Sequence, residues 1–396
     1  MSVATKPTEQ HGARAHSDGG WDSNEGAFVP VQTRSGRFTS NVHDDFPPIT
    51  GREIEWKLSP IARFRPLVDD ALDGSRYDIR FSETSGSSVE WLTREHPSIG
   101  SAGRPEERAS ANAWSAFEEA LAITLRGDDA VDLTVTRDGL GDAPKAAHTV
   151  ITAAPNSRGR VVIESRGSAT LTENVEIVVG DHADLVVVSI QEWSDSAIHL
   201  SSHFATVGRG ANLTHIIVTL GGSVVRISPS VHLTGEGATT ELYGLYFASA
   251  GQHLEQRVYL HHVGQNTRGR VNYKGALHGE GARTVWVGDV LIGPNASGTD
   301  SYEQNRNLVL STGTRADSIP NLEIETGNII GAGHASATGR FDDEQLFYLQ
   351  ARGISEADAR RLVVTGFLAE IVQKIGDPVL QSRLSTAIES ELGGAA

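Results

Sequence analysis

From about residue 128 onward the chain consists of short β-rich runs broken by turns that resemble one another: GDHADL at 180, GRGANL at 208, GEGATT at 235 and GEGART at 279. Gly221, Gly251, Gly264 and Gly293 mark further breaks between them. Breaks recur about every 14 residues and similar motifs about every 28, which is the mark of stacked repeats. A coil of a few short strands cannot bury its inward side chains alone, so stacking coils into one continuous core is the physical solution. Glycine provides the φ > 0 corners. Within the runs Val175, Ile177 and Val179 alternate with polar residues, and Leu322 and Ile324 oppose Asn321, Glu323 and Glu325. A β-sandwich also has short strands, but it gives no reason to repeat GxGA. The fold expected is mainly β, a β-helix (β-solenoid).

The 396 residues divide into four parts. Residues 1–50 are polar and poor in large apolar side chains, so they are expected to be a disordered tail. Residues 51–127 read as mostly helical, with Trp114, Phe117 and Leu121 on one helical face and Pro105 suited to a first turn. Residues 128–340 are the solenoid core. Residues 341–396 are helical: Asp342 and Gln345 resemble a capping box, and Arg352-Gly353 would close that helix. Ser355 and Asp358 would start the next, which Gly376 and Pro378 stop.

The formal net charge of −16 argues against general nucleic-acid binding and against docking on an anionic lipid surface. There is no cysteine, which removes disulfides, thiolate ligands and thiol nucleophiles together. The N-terminal stretch has no apolar core like that of a signal peptide, and no apolar run approaches the roughly 20 residues of a membrane span. A cytoplasmic protein is expected. No Walker motif, complete GxGxxG, GxSxG or HExxH is present.

Nine of the fifteen histidines lie between His182 and His278. His199 and His203 share strand parity and could face one side, and imidazole with carboxylate can hold iron or zinc. Their spacing matches no established ligand pattern, and an outer-face polar role accounts for them as well. His334 sits among Gly331, Ala332, Gly333 and Ala335, small residues that let another backbone or a ligand come close. A histidine satisfying backbone groups at a domain junction would look the same.

QNRNLVLS, PNLEIE, GHASATGRFDDEQLFYLQARGIS and GFLAEIVQKI occur in this order and together resemble the SufB/SufD family of iron–sulfur cluster assembly proteins. HVGQNTRGRVNYKGAL, which contains His262 and Lys274, is similar to a further family segment. The resemblance is clear over roughly 240–376. It implies a right-handed parallel β-helix flanked by helical segments. It also implies a non-catalytic scaffold subunit that pairs with a SufB-like paralogue and docks a SufC-like ABC-type ATPase through its C-terminal helices. Leu362, Phe367 and Ile371 are the candidate docking residues.

The family segment Cys-Ser-His-Gly-Ala-Thr corresponds to Ala332 through Thr338, with one extra small residue before the threonine. Ala332 replaces the cysteine and the histidine stays, so the chain is most like SufD. By the resemblance, His334 is a candidate iron ligand at the SufB interface, where a nascent cluster would be held transiently with SufB. No intrinsic cofactor is implied. Pairing of two copies of this chain in the absence of SufB is a further option. The competing readings are a β-helix carbohydrate-active enzyme and a passive SufB-stabilising partner.

Overall fold

A computed structural model describes residues 38–341 and 343–393. Its strands from Glu119 to Arg340 form a parallel β-solenoid. The chain winds between two sheets of nine strands each, among the described residues. Sheet A ends on strand Ile329–Arg340, and sheet B ends on strand Arg315–Ile324. Each coil gives one strand to each sheet, so the sixteen strands from Glu119–Leu125 to Ile329–Arg340 make eight coils.

At the GxG corners of 208 and 235 the two glycines do different work. Gly210 lies at φ +59°, the left-handed region that lets the chain turn. Gly235 has no such dihedral. A Cβ there would stand 2.1 Å from the Arg209 amide nitrogen of the coil beneath, so it is glycine because stacked backbones approach each other. Equivalent corners use His182 at φ +61° and Asn266 at φ +57°, residue types that tolerate this region. His182 is thereby a corner residue.

Inward side chains stack in columns, one per coil. Leu133, Val161, Val187, His215, Leu242, Val271, Glu303 and His334 are successive register partners across sheet A. Most such positions in the molecule are apolar and merge into one continuous core. The outer faces are covered from both sides. Helices α1 (Ile61–Asp69) and α2 (Arg108–Ala116) pack on sheet B: Phe64, Leu67 and Ala109 meet Leu200 and Val224, while Trp114 and Phe117 meet Val150 and Phe204. Helix α3 spans Asp343–Gln350, α4 Glu356–Gln373 and α5 Pro378–Gly393. From α4 and α5, Val364, Leu368, Ile371, Leu384 and Ile388 cover Val188, Ile216, Val218, Leu245 and Phe247 of sheet A.

Several expectations are corrected. Phe46 and Ile49, placed in the tail, are buried; residues 1–37 lie outside the described residues. The segment 51–127 contains only two nine-residue helices among its described elements, together with strands. Helix α2 stops at Ala116, so Phe117 is its C-cap and Leu121 belongs to a strand pointing into the solenoid. It starts late because the Glu107 carboxylate accepts from the Ala109 and Ser110 amides as the N-cap, which leaves Pro105 outside. The solenoid begins by Glu119, where the first parallel pairing, Leu121 with Thr149, follows.

At the C-terminal end, Asp342 of the expected capping box lies outside the described residues. Ser355 does cap α4, its hydroxyl accepting from the Asp358 amide at 3.1 Å. The C-terminal helices lie across sheet A and do not plug the solenoid, because their apolar stripe matches that sheet's apolar outer face.

Candidate functional site

The two ends of the solenoid are finished differently. At the first, antiparallel strands Arg80–Phe81 and Ser87–Thr93 cover the edges of the two sheets. At the other, strands Arg315–Ile324 and Ile329–Arg340 each have a sheet neighbour on one side alone, among the described residues. An open edge of this kind offers a row of unpaired backbone donors and acceptors. Ile324, Ile330 and Tyr302 are exposed there.

His334 stands in the middle of the last strand, at the top of the column described above. With no coil above it, its side chain keeps 44% of its accessible surface. A Cβ added at Gly331 or Gly339 would meet nothing, so internal crowding does not dictate the small residues around His334; they keep the end face low. Directly beneath, Glu303 is its register partner, with His334 Nδ1 3.8 Å from Glu303 Oε1. Burial, together with the nearby Asp289 carboxylate, pushes the Glu303 carboxyl up to about 9, against a weaker pull from the Asn321 backbone. Glu303 is therefore a neutral acid at pH 7.

The other candidates fall elsewhere. His199 and His203 do share a face, but it is the inner one, and both are buried. Trp193 Nε1 donates to His199 Nδ1 at 3.2 Å, which makes Nε2 the protonated nitrogen, and Nε2 lies 2.8 Å from Glu173 Oε1. Glu173 also holds Arg137 in a two-pronged pair at 2.6 and 2.7 Å. His203 Nδ1 faces His215 Nε2 at 3.0 Å. Their ring nitrogens are thus engaged within the interior network, which accounts for them without a metal.

His262 is buried between Thr267 and Ser301 hydroxyls. Lys274 fastens sheet A to α4, donating to the Phe367 carbonyl at 2.9 Å and pairing with Glu370. Of the docking residues, Leu362 is exposed, Phe367 is partly buried under Lys274, and Ile371 is fully buried on sheet A. The three therefore do not form one accessible surface. Helical spacing had picked out the stripe that packs on the chain's own sheet. Among the described residues no three His, Asp or Glu are close enough to hold a metal by themselves.

The buried histidine pair makes the fold acid-sensitive. Burial lowers His203 well below the usual imidazole value, helped by its neighbour, and lowers His215 to about 4. Between about pH 6.5 and pH 4 the unfolded chain therefore binds more protons than the folded one, so stability falls as pH falls. His215 alone accounts for on the order of 3 kcal/mol once that window is crossed. Denaturant midpoints at pH 7 and pH 4.5 should differ less in His215→Gln than in the parent. Equal slopes would mean that His215 is not buried neutral.

The SUF system FeS cluster assembly, SufBD core domain, matches residues 136–367. The chain belongs to the SufBD family. It is 47% identical over 379 residues to an iron–sulfur cluster assembly SufBD family protein of Mycobacterium leprae, covering 93% of this chain and 96% of that protein. A Mycobacterium tuberculosis protein of the same description is 48% identical over 366 residues, 90% of this chain and 92% of its own length. A second M. leprae protein of that description matches at 32% identity over 222 residues, 56% of this chain but 25% of its own length. No described helix of this SufBD protein is long and apolar enough to cross a membrane.

Within the SufBD protein, sequence reasoning did not single out Glu303. The available signal was the coil length. Counting 31 residues back from His334 reaches Glu303, just as 32 back from Glu303 reaches Val271, where most of the column is apolar.

Proposed function

We propose that this chain is the SufD-like, non-catalytic subunit of a cytoplasmic iron–sulfur cluster assembly scaffold. It pairs through its open solenoid end with a cysteine-bearing SufB-like paralogue, and it carries a SufC-like ABC-type ATPase on its C-terminal helices. The observation that carries the reading is His334 standing exposed on an end strand whose outer edge is unpaired among the described residues, in a chain that has no cysteine. A cluster built there must take its thiolates from elsewhere, and neutral imidazole is a fitting iron ligand. Two family members in M. leprae, one 47% and one 32% identical to this chain, support a pairing of paralogues.

Exposed Ile324, Ile330 and Tyr302 give the end face apolar area for a partner, and the edge strands supply backbone hydrogen bonds. The ATPase surface is assigned to the solvent side of α3 and α4, where Phe347, Tyr348 and Leu362 are exposed. The nascent cluster is cargo, held transiently between the two paralogues.

His334→Ala should leave the complex assembled, since among the described residues no hydrogen bond of the exposed ring holds the strand, and Glu303 lies 3.8 Å from it. Cluster yield in the isolated complex should fall at least about tenfold, the scale of losing a metal-site interaction. Unchanged iron and sulfide in an intact complex would leave this chain as a passive stabiliser of its partner.

A further inference from the structure

Glu303 is hard to explain as a structural residue. Its side chain is 1% exposed, and neither carboxyl oxygen makes a well-formed hydrogen bond, the Asn321 backbone offering a weak one. Burying a carboxyl without such partners costs stability, and the column below it shows that Val271 and Leu242 fill equivalent places without that cost. The surroundings nevertheless make room for it. A Cβ on Gly288 would stand 2.3 Å from Glu303 Oε2, so only glycine leaves the carboxyl its place beside Trp286.

The carboxyl is also placed where it has a use. It is the register partner of His334 on the adjacent strand, and its Oε1 lies 3.8 Å from His334 Nδ1 at the one end of the solenoid that is open. We propose that Glu303 and His334 together form a half-site for ferrous iron, one carboxylate and one imidazole ligand at the open end. The proposal rests on the reading of His334 given above and adds the second ligand.

An oxygen and nitrogen donor pair suits a divalent first-row metal such as Fe(II), whereas a soft thiolate site would select differently. Among the described residues no further His, Asp or Glu completes the site. Two protein ligands leave most of the coordination sphere open, and the missing donors come from the paralogue seated on the end strands. The half-site thus delivers iron to the interface without needing a cysteine.

The experiment uses the complex purified anaerobically with its co-expressed partners and stripped of metal, titrated with Fe(II) alone and, in parallel, with Co(II) as an absorption probe. No sulfur donor is present, so the readout is metal binding and not cluster yield. Glu303→Gln keeps the shape and removes the ability to ionise on metal binding, and it should fold at least as well as the parent. Both Glu303→Gln and His334→Ala should weaken metal binding at the interface by about tenfold or more, on the scale set by lost metal-site interactions. The double variant should be no worse than the weaker single one. If Glu303→Gln binds Fe(II) and Co(II) like the parent while His334→Ala does not, Glu303 is no ligand and the His334 reading survives. If both bind like the parent, the metal does not sit here and both readings fall.

Discussion

Glu173→Ala should destabilise the chain by about 3–5 kcal/mol, the cost of stranding a buried charge. Arg137 and Glu173 are 4% and 2% exposed inside the solenoid. The carboxylate receives both Arg137 amino groups, the His199 Nε2 proton and the Ser201 hydroxyl. Burial alone would raise its pKa, but Arg137 and His199 together outweigh burial and hold the carboxyl well below the usual range. Removing it leaves a guanidinium with the neutral Ser165 and Tyr77 hydroxyls beside it and no carboxylate countercharge. The doubly apolar variant Arg137→Met/Glu173→Leu should recover most of the loss, because it removes the unpaired charge along with the pair. Denaturant unfolding of the three variants measures this. A loss below about 1 kcal/mol for Glu173→Ala would show that solvent reaches Arg137 and that the pair is not a dry one.

Deletion of residues 356–396 should remove soluble folded protein and not merely ATPase binding. Helices α4 and α5 cover an apolar face built from Val188, Ile190, Ile216, Val218, Tyr243, Leu245 and Phe247. Each such side chain returned to water forfeits roughly 1.5–3 kcal/mol, and a bare patch of that size aggregates. Two ties are lost as well. Arg383 pairs with Glu164 and Glu192, and Arg160 holds the Ile375 carbonyl and Asp377. Truncation therefore cannot report on docking, and surface substitution can. Leu362→Glu changes a side chain that is 59% exposed, so it should leave stability within about 0.5 kcal/mol while weakening ATPase capture. Leu384→Ala, fully buried, should instead cost about 2–5 kcal/mol. A truncated chain that stays soluble and folded would contradict this account of sheet A.

The solenoid was legible because its physics repeats. At the 208 and 235 corners one glycine turns the chain and another lets coils touch, and alternation such as Val175, Ile177, Val179 names the inner face. What repeats can be counted. The N-terminal region was misread because its signals are local and weak: Trp114 and Phe117 do share one packing cluster, but Leu121 continues as a strand because its backbone pairs with Thr149 of the next coil. His199 and His203 were correctly placed on one face. Which face depended on the Glu173 and Arg137 charges that meet them inside, partners 26 and 62 residues away from His199. Ile371 shows the complementary limit. Helical periodicity marks the stripe that is buried, not whether its cover is the chain's own sheet or another protein. His334 drew notice through its small neighbours and family motif, whereas Glu303 becomes visible only once the register stacks it beneath that ring.

The proposed function makes this chain one member of a cluster-building complex. Anaerobic purification of the tagged full chain from its own cells, with partners identified and bound iron and sulfide assayed, tests it most directly. The account predicts recovery of a cysteine-bearing SufBD paralogue and an ABC-type ATPase, with iron and sulfide in the complex. Recovery of the chain alone, with neither partner and neither element, would contradict it.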